Sequence, residues 1–329
     1  MKPVAPSERG AALLAVLVLV VIMGGIAAAA FEKLRISTAL AMNGASLDQS
    51  RAYAVGVETL LALRVDDLIA ESPETTTLAG NWNGQVRSIQ LPGDGDAEGA
   101  ISDGGNCFNI NSVATGEVAT NLQPRPIGIA QFANLMGVLG VPPAAAKEIS
   151  ESAADWVDSD SVPAPEGAED AAYARTESPY RPANTLFAEV SELRAVAGMS
   201  PEIYRQVRPY LCALPTTDLS PINVNTLLPD QAPLIAMLAP DAISVGMARE
   251  VLARRPAAGW SHASEFWQDP MLKRAAMPPE SQSQPQLATR WFALDLKVRL
   301  RGSELRETAL IDARRLPARV ALRRWGTDE

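Results

Sequence analysis

Twenty consecutive residues, Ala11 to Ala30 (AALLAVLVLVVIMGGIAAAA), carry no charge, and no proline interrupts the chain between Pro6 and Pro73. Few structures accommodate such a run. As a helix it extends about 30 Å, the thickness of a bilayer's hydrocarbon core. Glu8, Arg9 and Gly10 stand immediately before it; Phe31, Glu32, Lys33 and Arg35 stand immediately after. A secretory signal peptide places a small-residue cleavage site behind a shorter apolar core. Ala28-Ala29-Ala30 imitates such a site, but the run is long for that role and reads as a helix that stays in a membrane. Lys2, Arg9 and the terminal amine outweigh Glu8 on one side, and Lys33 and Arg35 outweigh Glu32 on the other. The slight excess at the start favours an N-terminus in the cytoplasm and the body outside.

The helical pattern continues past the span. From Phe31 to about Glu71 the only glycines are Gly44 and Gly56, and Leu60, Leu61, Leu63, Val65, Leu68 and Ile69 form an apolar stripe at helical spacing. Strand-like pieces follow at Trp82–Leu91 and Cys107–Asn111, separated by a glycine- and aspartate-rich stretch, Pro92–Gly105, that reads as loop. From about Pro126 to Leu287 helices dominate. The expected helices are Ile129–Leu139, Ala144–Val157, Phe187–Val196, Pro201–Leu211, Thr226–Leu238, Ser244–Arg255 and His262–Trp267. The end of the chain returns to strands: Trp291–Leu300 alternates, Arg301-Gly302-Ser303-Glu304 is a turn, and Leu305–Ala313 and Arg319–Trp325 complete an antiparallel set. Strands on both sides of a helical block predict an α+β fold with one body and a helical insertion.

The formal net charge of −9 argues against general nucleic-acid binding. The residues from Arg290 onward run the other way, with ten basic and six acidic side chains. They form either solvated strand faces or a contact surface for an acidic neighbour. The two cysteines, Cys107 and Cys212, permit one disulfide if their side of the membrane is oxidising, or two separate buried thiols.

Four groups of residues resemble one family. Arg9-Gly10 followed by Ala11-Ala12-Leu13-Leu14-Ala15 is similar to a prepilin peptidase site. Asp155-Trp156-Val157-Asp158-Ser159-Asp160 is followed by Gly167-Ala168-Glu169-Asp170 and Tyr180-Arg181-Pro182-Ala183-Asn184. Then come Glu192-Leu193-Arg194, Gly198-Met199, Arg208-Pro209-Tyr210 and Cys212-Ala213-Leu214-Pro215, and finally Ile222-Asn223-Val224-Asn225-Thr226. Each is weak alone. In this order and at these distances they resemble the K-type minor pseudopilins of type II secretion, the general secretion pathway protein K family, over nearly the whole chain.

The resemblance implies a leader at 1–10 cut between Gly10 and Ala11, a transmembrane helix at 11–30 and a pilin-like body formed by 31–125 and 288–329. A helical insertion at 126–287, similar to SAM and helix-hairpin-helix modules, completes the chain. The implied fold is a long N-terminal helix on a small antiparallel sheet. The implied role is a subunit at the tip of the pseudopilus that helps initiate its assembly and protein export. It is single-pass in the inner membrane with a periplasmic body. The implied partners are the I-type and J-type minor pseudopilins, the major pseudopilin and prepilin peptidase, with no nucleic acid. Most pilins carry glutamate at the fifth mature position, where this chain has Ala15. An unpaired carboxylate in a bilayer is costly, and a subunit with no neighbour above it has no need of one.

Between Asp155 and Glu177 seven acidic residues crowd around one basic residue, Arg175. Such a loop is either solvated or bridged by a hard cation, and calcium tolerates irregular oxygen-lined loops. With the resemblance, calcium is the expected ion, and Asp158, Asp160, Glu169 and Asp170 are the expected ligands. The alternative function is a membrane-anchored DNA-uptake protein, because Ile222–Thr226 and the following helices resemble helix-hairpin-helix modules. An enzyme is not expected. His262, the only histidine, has Ser261 and Glu265 beside it, but sequence neighbours do not make a catalytic triad.

Overall fold

The computed structural model describes residues 6–117, 121–176 and 178–326, with residues 6–9 as backbone only. The leader residues Met1–Ala5 and the acidic Glu177 lie outside the described residues. One helix, α1 (Pro6–Glu71), runs unbroken from before the apolar segment to just before Pro73, about 100 Å at 1.5 Å per residue. Residues 10–45 are exposed along its whole circumference, and Ser46 is the first buried residue. Up to that point α1 is a free stalk, and one window within it is long and apolar enough to cross a membrane, with a mean hydropathy of 2.8.

Beyond Ser46, α1 lies on a sheet of five strands: β1 (Arg87–Leu91), β2 (Gly95–Asp103), β7 (Trp291–Leu300), β8 (Ser303–Asp312) and β9 (Arg319–Trp325). Their order is β1-β2-β7-β8-β9, antiparallel throughout. Ala54, Val57, Val65 and Ile69 of α1 bury against Leu294, Leu296, Val298, Ala309 and Ile311 of the sheet. The register joins Ile101 to Leu294 and Leu294 to Ala309.

The stretch expected as loop, Pro92–Gly105, contains β2, a strand at the interior of the sheet. Gly99 is there because α1 comes close. A Cβ on Gly99 would stand 3.0 Å from Leu61 Cδ1 and 3.1 Å from Leu296 Cδ2. Ala97, Gly99 and Ile101 form the inward face by alternation, with too little side chain to register as a hydrophobic strand. Conversely, only Arg87–Leu91 of the expected strand Trp82–Leu91 is extended. Trp82 instead packs at the end of the sheet, 5.5 Å from Phe292.

Between β2 and β7, which are paired neighbours, the chain leaves the sheet for the insertion. Two-residue strands open it: β3 (Phe108–Asn109), β4 (Ala114–Thr115) and β5 (Gln123–Pro124), with β4 paired to β5 and β3 parallel to β6 (Leu211–Cys212). The helices are α2 (Pro126–Val138), α3 (Pro143–Val157), α4 (Asp170–Tyr173), α5 (Pro201–Val207), α6 (Pro233–Ala236), α7 (Val245–Ala253), α8 (Ala263–Trp267) and α9 (Pro279–Ser283). Several expected helices are shorter. Phe187–Val196 holds only a 3-10 helix, Val190–Ala195, and Thr226–Leu238 holds a 3-10 turn and α6. Phe108, Ile110, Val113 and Leu122 share one core with Phe132, Ile149, Leu193 and Ile235. Residues 106–117 and 121–125, read above with the pilin-like body, therefore pack with the helices.

The insertion leaves and rejoins the sheet at the end nearest Ile69, whereas the opposite end, at Leu300, touches Ser46 through its carbonyl. Its mass therefore stands at the end of α1 farthest from the apolar segment.

Two Asn-x-Asn turns tie it down. Asn111 accepts from the Phe187 N–H at 2.7 Å and donates to the Phe187 carbonyl at 3.0 Å. Asn225 does the same with Trp260, at 2.8 and 3.0 Å. Each side-chain amide thus imitates a strand neighbour for one residue. Asn223 donates to Thr76 O and Thr289 Oγ1, linking the insertion to the end of the sheet. Cys107 and Cys212 are joined as a disulfide across β3 and β6, with Cα atoms 5.7 Å apart.

Candidate functional site

Pro143 stands in the first turn of α3, where its missing N–H costs nothing. The helix buries Ile149, Ala153, Ala154 and Val157 and ends at Asp158, whose N–H closes on Ala154 O. Three residues apart, Asp155 and Asp158 fall on the same inward side. The chain then loops back. Asp155 accepts from the Ala164 N–H at 3.1 and 3.2 Å, and a Cβ on Gly167 would stand 2.0 Å from Asp155 Oδ2, so only glycine passes there. Glu169 precedes α4. Trp156, Tyr173, Tyr180 and Phe187 wall the loop with ring contacts of 5.1–6.2 Å.

This path brings together ligand atoms of Asp158, Asp160 and Glu169, all within 4.8 Å of one another. Asp158 is 1% exposed and Glu169 5% exposed. Both Asp158 oxygens and Glu169 Oε1 are buried without a hydrogen-bond partner. Burial, then the charges of Asp160 and Asp155, push Asp158 up to about 7. Burial, then Asp158, Asp155 and Asp160, push Glu169 up to about 7. Asp155 rises to about 6, chiefly through burial, with hydrogen bonds from Ala164 and Ala168 opposing it.

Asp170, expected as a fourth ligand, does not join them. It follows Glu169 into the first turn of α4, where its carboxyl faces Arg181 at 3.7 Å on the surface. The residue that sequence reasoning missed is Asn184. Its Oδ1 is buried and unpartnered, and its Nδ2 donates to Asp160 O at 3.3 Å. Its left-handed backbone (φ 48°), unusual for a non-glycine residue, was not visible as a signal beforehand.

The donor set consists of hard oxygens with unsatisfied lone pairs, crowded and partly buried. A small divalent cation with oxygen preference fits it.

Other singled-out residues have structural roles. The Ser261 N–H donates to Glu265 Oε2 at 2.9 Å, and His262 stands exposed at the start of α8. Asn223 and Asn225, in the segment resembling DNA-binding hairpins, are buried and turned into the fold. The basic excess after Arg290 is mostly neutralised within the chain. Arg299 pairs with Asp96 and Glu98, Arg314 with Asp312, Arg323 with Glu58, and Arg324 with Glu189.

Two family models match, both described as type II secretion system protein K, over residues 106–216 and 222–290. The type II secretion system protein K of Pectobacterium carotovorum subsp. carotovorum is 33% identical over 325 residues, covering 97% of each chain. That of Klebsiella pneumoniae is 37% identical over 270 residues, covering 81% of each. Among solved structures, the chain is similar to one in the GspK–GspI–GspJ complex from the type 2 secretion system of enterotoxigenic Escherichia coli. The TM-score is 0.72 at 28% identity, covering 85% of this chain and 97% of that one. This support is for secretion and not for the DNA-uptake alternative. With its anchor-like helix, its α+β architecture and its match along almost the full length of its relatives, the chain belongs to the type II secretion system protein K family.

Proposed function

We propose that this chain is the minor pseudopilin at the tip of the type II secretion pseudopilus, where it helps start assembly and export. The observation that carries the reading is where the mass lies. The insertion stands at the end of α1 farthest from the apolar segment, so a further subunit stacked in the same orientation would meet it. Ala15 agrees, because a carboxylate there serves a neighbour above. The leader is removed between Gly10 and Ala11 by prepilin peptidase at the inner membrane. The apolar helix then passes from lipid into a stack with the helices of I-type and J-type minor pseudopilins and the major pseudopilin. The body is periplasmic. Its work is positional, without catalysis.

Calcium is the ion we assign to Asp158, Asp160 and Glu169, with Asn184, bonded to the Asp160 carbonyl, as a further candidate. The ion would neutralise carboxylates that burial otherwise drives toward protonation, and so hold the loop after α3 closed.

The test of function is co-purification. Tagged full-length chain extracted from membranes should carry I-type and J-type partners, and the isolated mature protein should begin at Ala11. A mature chain that still begins at Met1, or one that captures neither partner, overturns the reading.

A further inference from the structure

Amid the apolar side chains between α1 and the sheet lies a charged trio. Glu58 of α1 is 3% exposed and Glu307 of β8 is 1% exposed. Between them stands Arg323 of β9. Its Nε and Nη2 donate to the two Glu58 oxygens at 2.8 and 2.6 Å. Nε is also 3.2 Å from Glu307 Oε1. That N–H is directed at Glu58, however, and with both carboxylates ionised neither Glu307 oxygen has a hydrogen-bond partner. Two carboxylates and one guanidinium leave one uncompensated negative charge at a buried place, which is costly. A single proton shared by the carboxylates removes it.

Among the described residues, the surroundings supply no second cation. On α1, the charged residues on either side are engaged elsewhere: Arg51 with Asp48, Arg64 with Glu71, and Asp66 with the Ala318 N–H. β7 places Leu296 opposite Glu307. Its Asp295 and Lys297 alternate to the other face, where Lys297 pairs with Glu304. On β8, Arg306 also alternates away and pairs with Glu304. On β9, Arg324 faces away and pairs with Glu189. Trp325, opposite Glu307 in register, holds its ring 6.0 Å from the Arg323 guanidinium.

We propose that Glu58, Glu307 and Arg323 form a proton-dependent clamp between α1 and the C-terminal strand β9, closed when the two carboxylates share one proton and loosened when that proton leaves to solvent. The clamp is independent of calcium and of the tip assignment. β9 is an edge strand paired only to β8, so the clamp ties its last residues to the helix. Burial, then the hydrogen bond and charge of Glu58, push Glu307 up to about 8. Burial also pushes Glu58 up, but hydrogen bonds from Arg323 and Glu307 outweigh it and hold Glu58 below its usual value.

The sign follows. An acid raised in the closed state is stabilising below its open-state pKa, and that stability is lost as pH rises through the closed-state value. For Glu307 the loss spans about pH 4.5 to about 8. The full-length chain in detergent micelles is the sample. Two measurements are made: hydrogen exchange of the β9 amides, corrected for intrinsic rate, and the infrared carbonyl band of protonated carboxyls.

In the wild type, β9 protection should fall about tenfold between pH ~5.5 and ~9. The variant Glu307→Gln should keep β9 protected with a change below about threefold, and should lack one protonated-carboxyl band present in the wild type at neutral pH. Glu58→Gln frees Arg323 for Glu307 and should move that band's titration down into the ordinary carboxylate range. A Glu307→Gln protein with the wild-type pH course in β9, or with the wild-type band unchanged, overturns the clamp. A Glu58→Gln titration that stays at the wild-type position does so as well.

Discussion

Asp158 stands at the end of α3 with both oxygens buried and unpaired, which is why it heads the proposed calcium site. Its raised value, like that of Glu169, means that metal-free stability is present below the unfolded value and is lost as pH rises through about 7. In the proposed site calcium would bind the ionised forms and release protons, so its effect would grow over the same range. We expect the metal-free insertion to melt at a lower temperature near pH ~8 than near pH ~5.5, and millimolar calcium to reverse that order. At a hundredfold excess over its dissociation constant, the ion should contribute about 2.7 kcal/mol. Asp158→Asn should abolish the gain while leaving the metal-free protein as stable as the wild type or more so, since a repelled charge is removed. Asp170→Asn should retain calcium binding, because that side chain faces Arg181. Calorimetric titration of the two variants decides this, and equal loss of binding in both would sink the assignment of ligands. Gly167→Ala, which drives a methyl into Asp155, should weaken binding without touching a ligand. The crowding of carboxylates was legible in the sequence, but the choice among them was not. Adjacent residues such as Glu169 and Asp170 look equivalent in a string and point opposite ways at a helix start. Asn184 enters through a left-handed turn that its neighbours do not announce.

At the scale of elements, the C-terminal hairpin was legible because Trp291–Leu300 alternates over ten residues. α1 was legible because nothing interrupts it. β2 was not, since its inward face is Ala97, Gly99 and Ile101, and small residues carry little periodic signal. The helix lying on them supplies the missing volume, which only the fold reveals. The short helices of the insertion were overestimated for the converse reason. Their apolar residues are buried by tertiary contact, and asparagine amides rather than helical hydrogen bonds satisfy nearby backbone. Asn225 and Asn111 each satisfy both the donor and the acceptor of a distant residue. Replacing either with alanine leaves a buried N–H and C=O without partners, at about 1–3 kcal/mol for each unsatisfied group. Urea unfolding of Asn225→Ala should show a loss of about 2–4 kcal/mol, whereas an exposed residue such as Asn43 changed to alanine should show almost none. Reduction of Cys107–Cys212, which closes a loop with a separation of 105 residues, should cost about 4–5 kcal/mol in the chain-entropy model. Unchanged urea midpoints in Asn225→Ala would mean that water replaces the amide.

At the scale of the whole molecule, the proposed function asks α1 to serve two surroundings in turn and places both signals in its first turns. The helix begins at Pro6 and passes through the bond between Gly10 and Ala11, so a protease that reads extended chain must first open that turn. Glycine lowers the cost of opening by about 1 kcal/mol relative to alanine and places no side chain in the way. Gly10→Ala should therefore retain the leader in membranes containing prepilin peptidase, as the intact mass of the protein would reveal. A variant that matures to the wild-type mass would refute the pilin-like processing of the chain. The fifth residue beyond the proposed cut is Ala15, exposed on the free stalk together with Leu13, Leu14 and Val16. A carboxylate introduced there must find a cation or bear a cost that reaches about 2.5–3.5 kcal/mol at a membrane centre and is smaller nearer the interface. In a subunit whose far end is blocked by its own insertion, no amine arrives from above to supply that cation. Ala15→Glu should thus leave secretion equal or reduced, and co-purification with the I-type and J-type partners should not rise. A gain in assembled complex would mean that a neighbour does stack above this subunit, and the insertion would then have to be placed along the filament and not at its end.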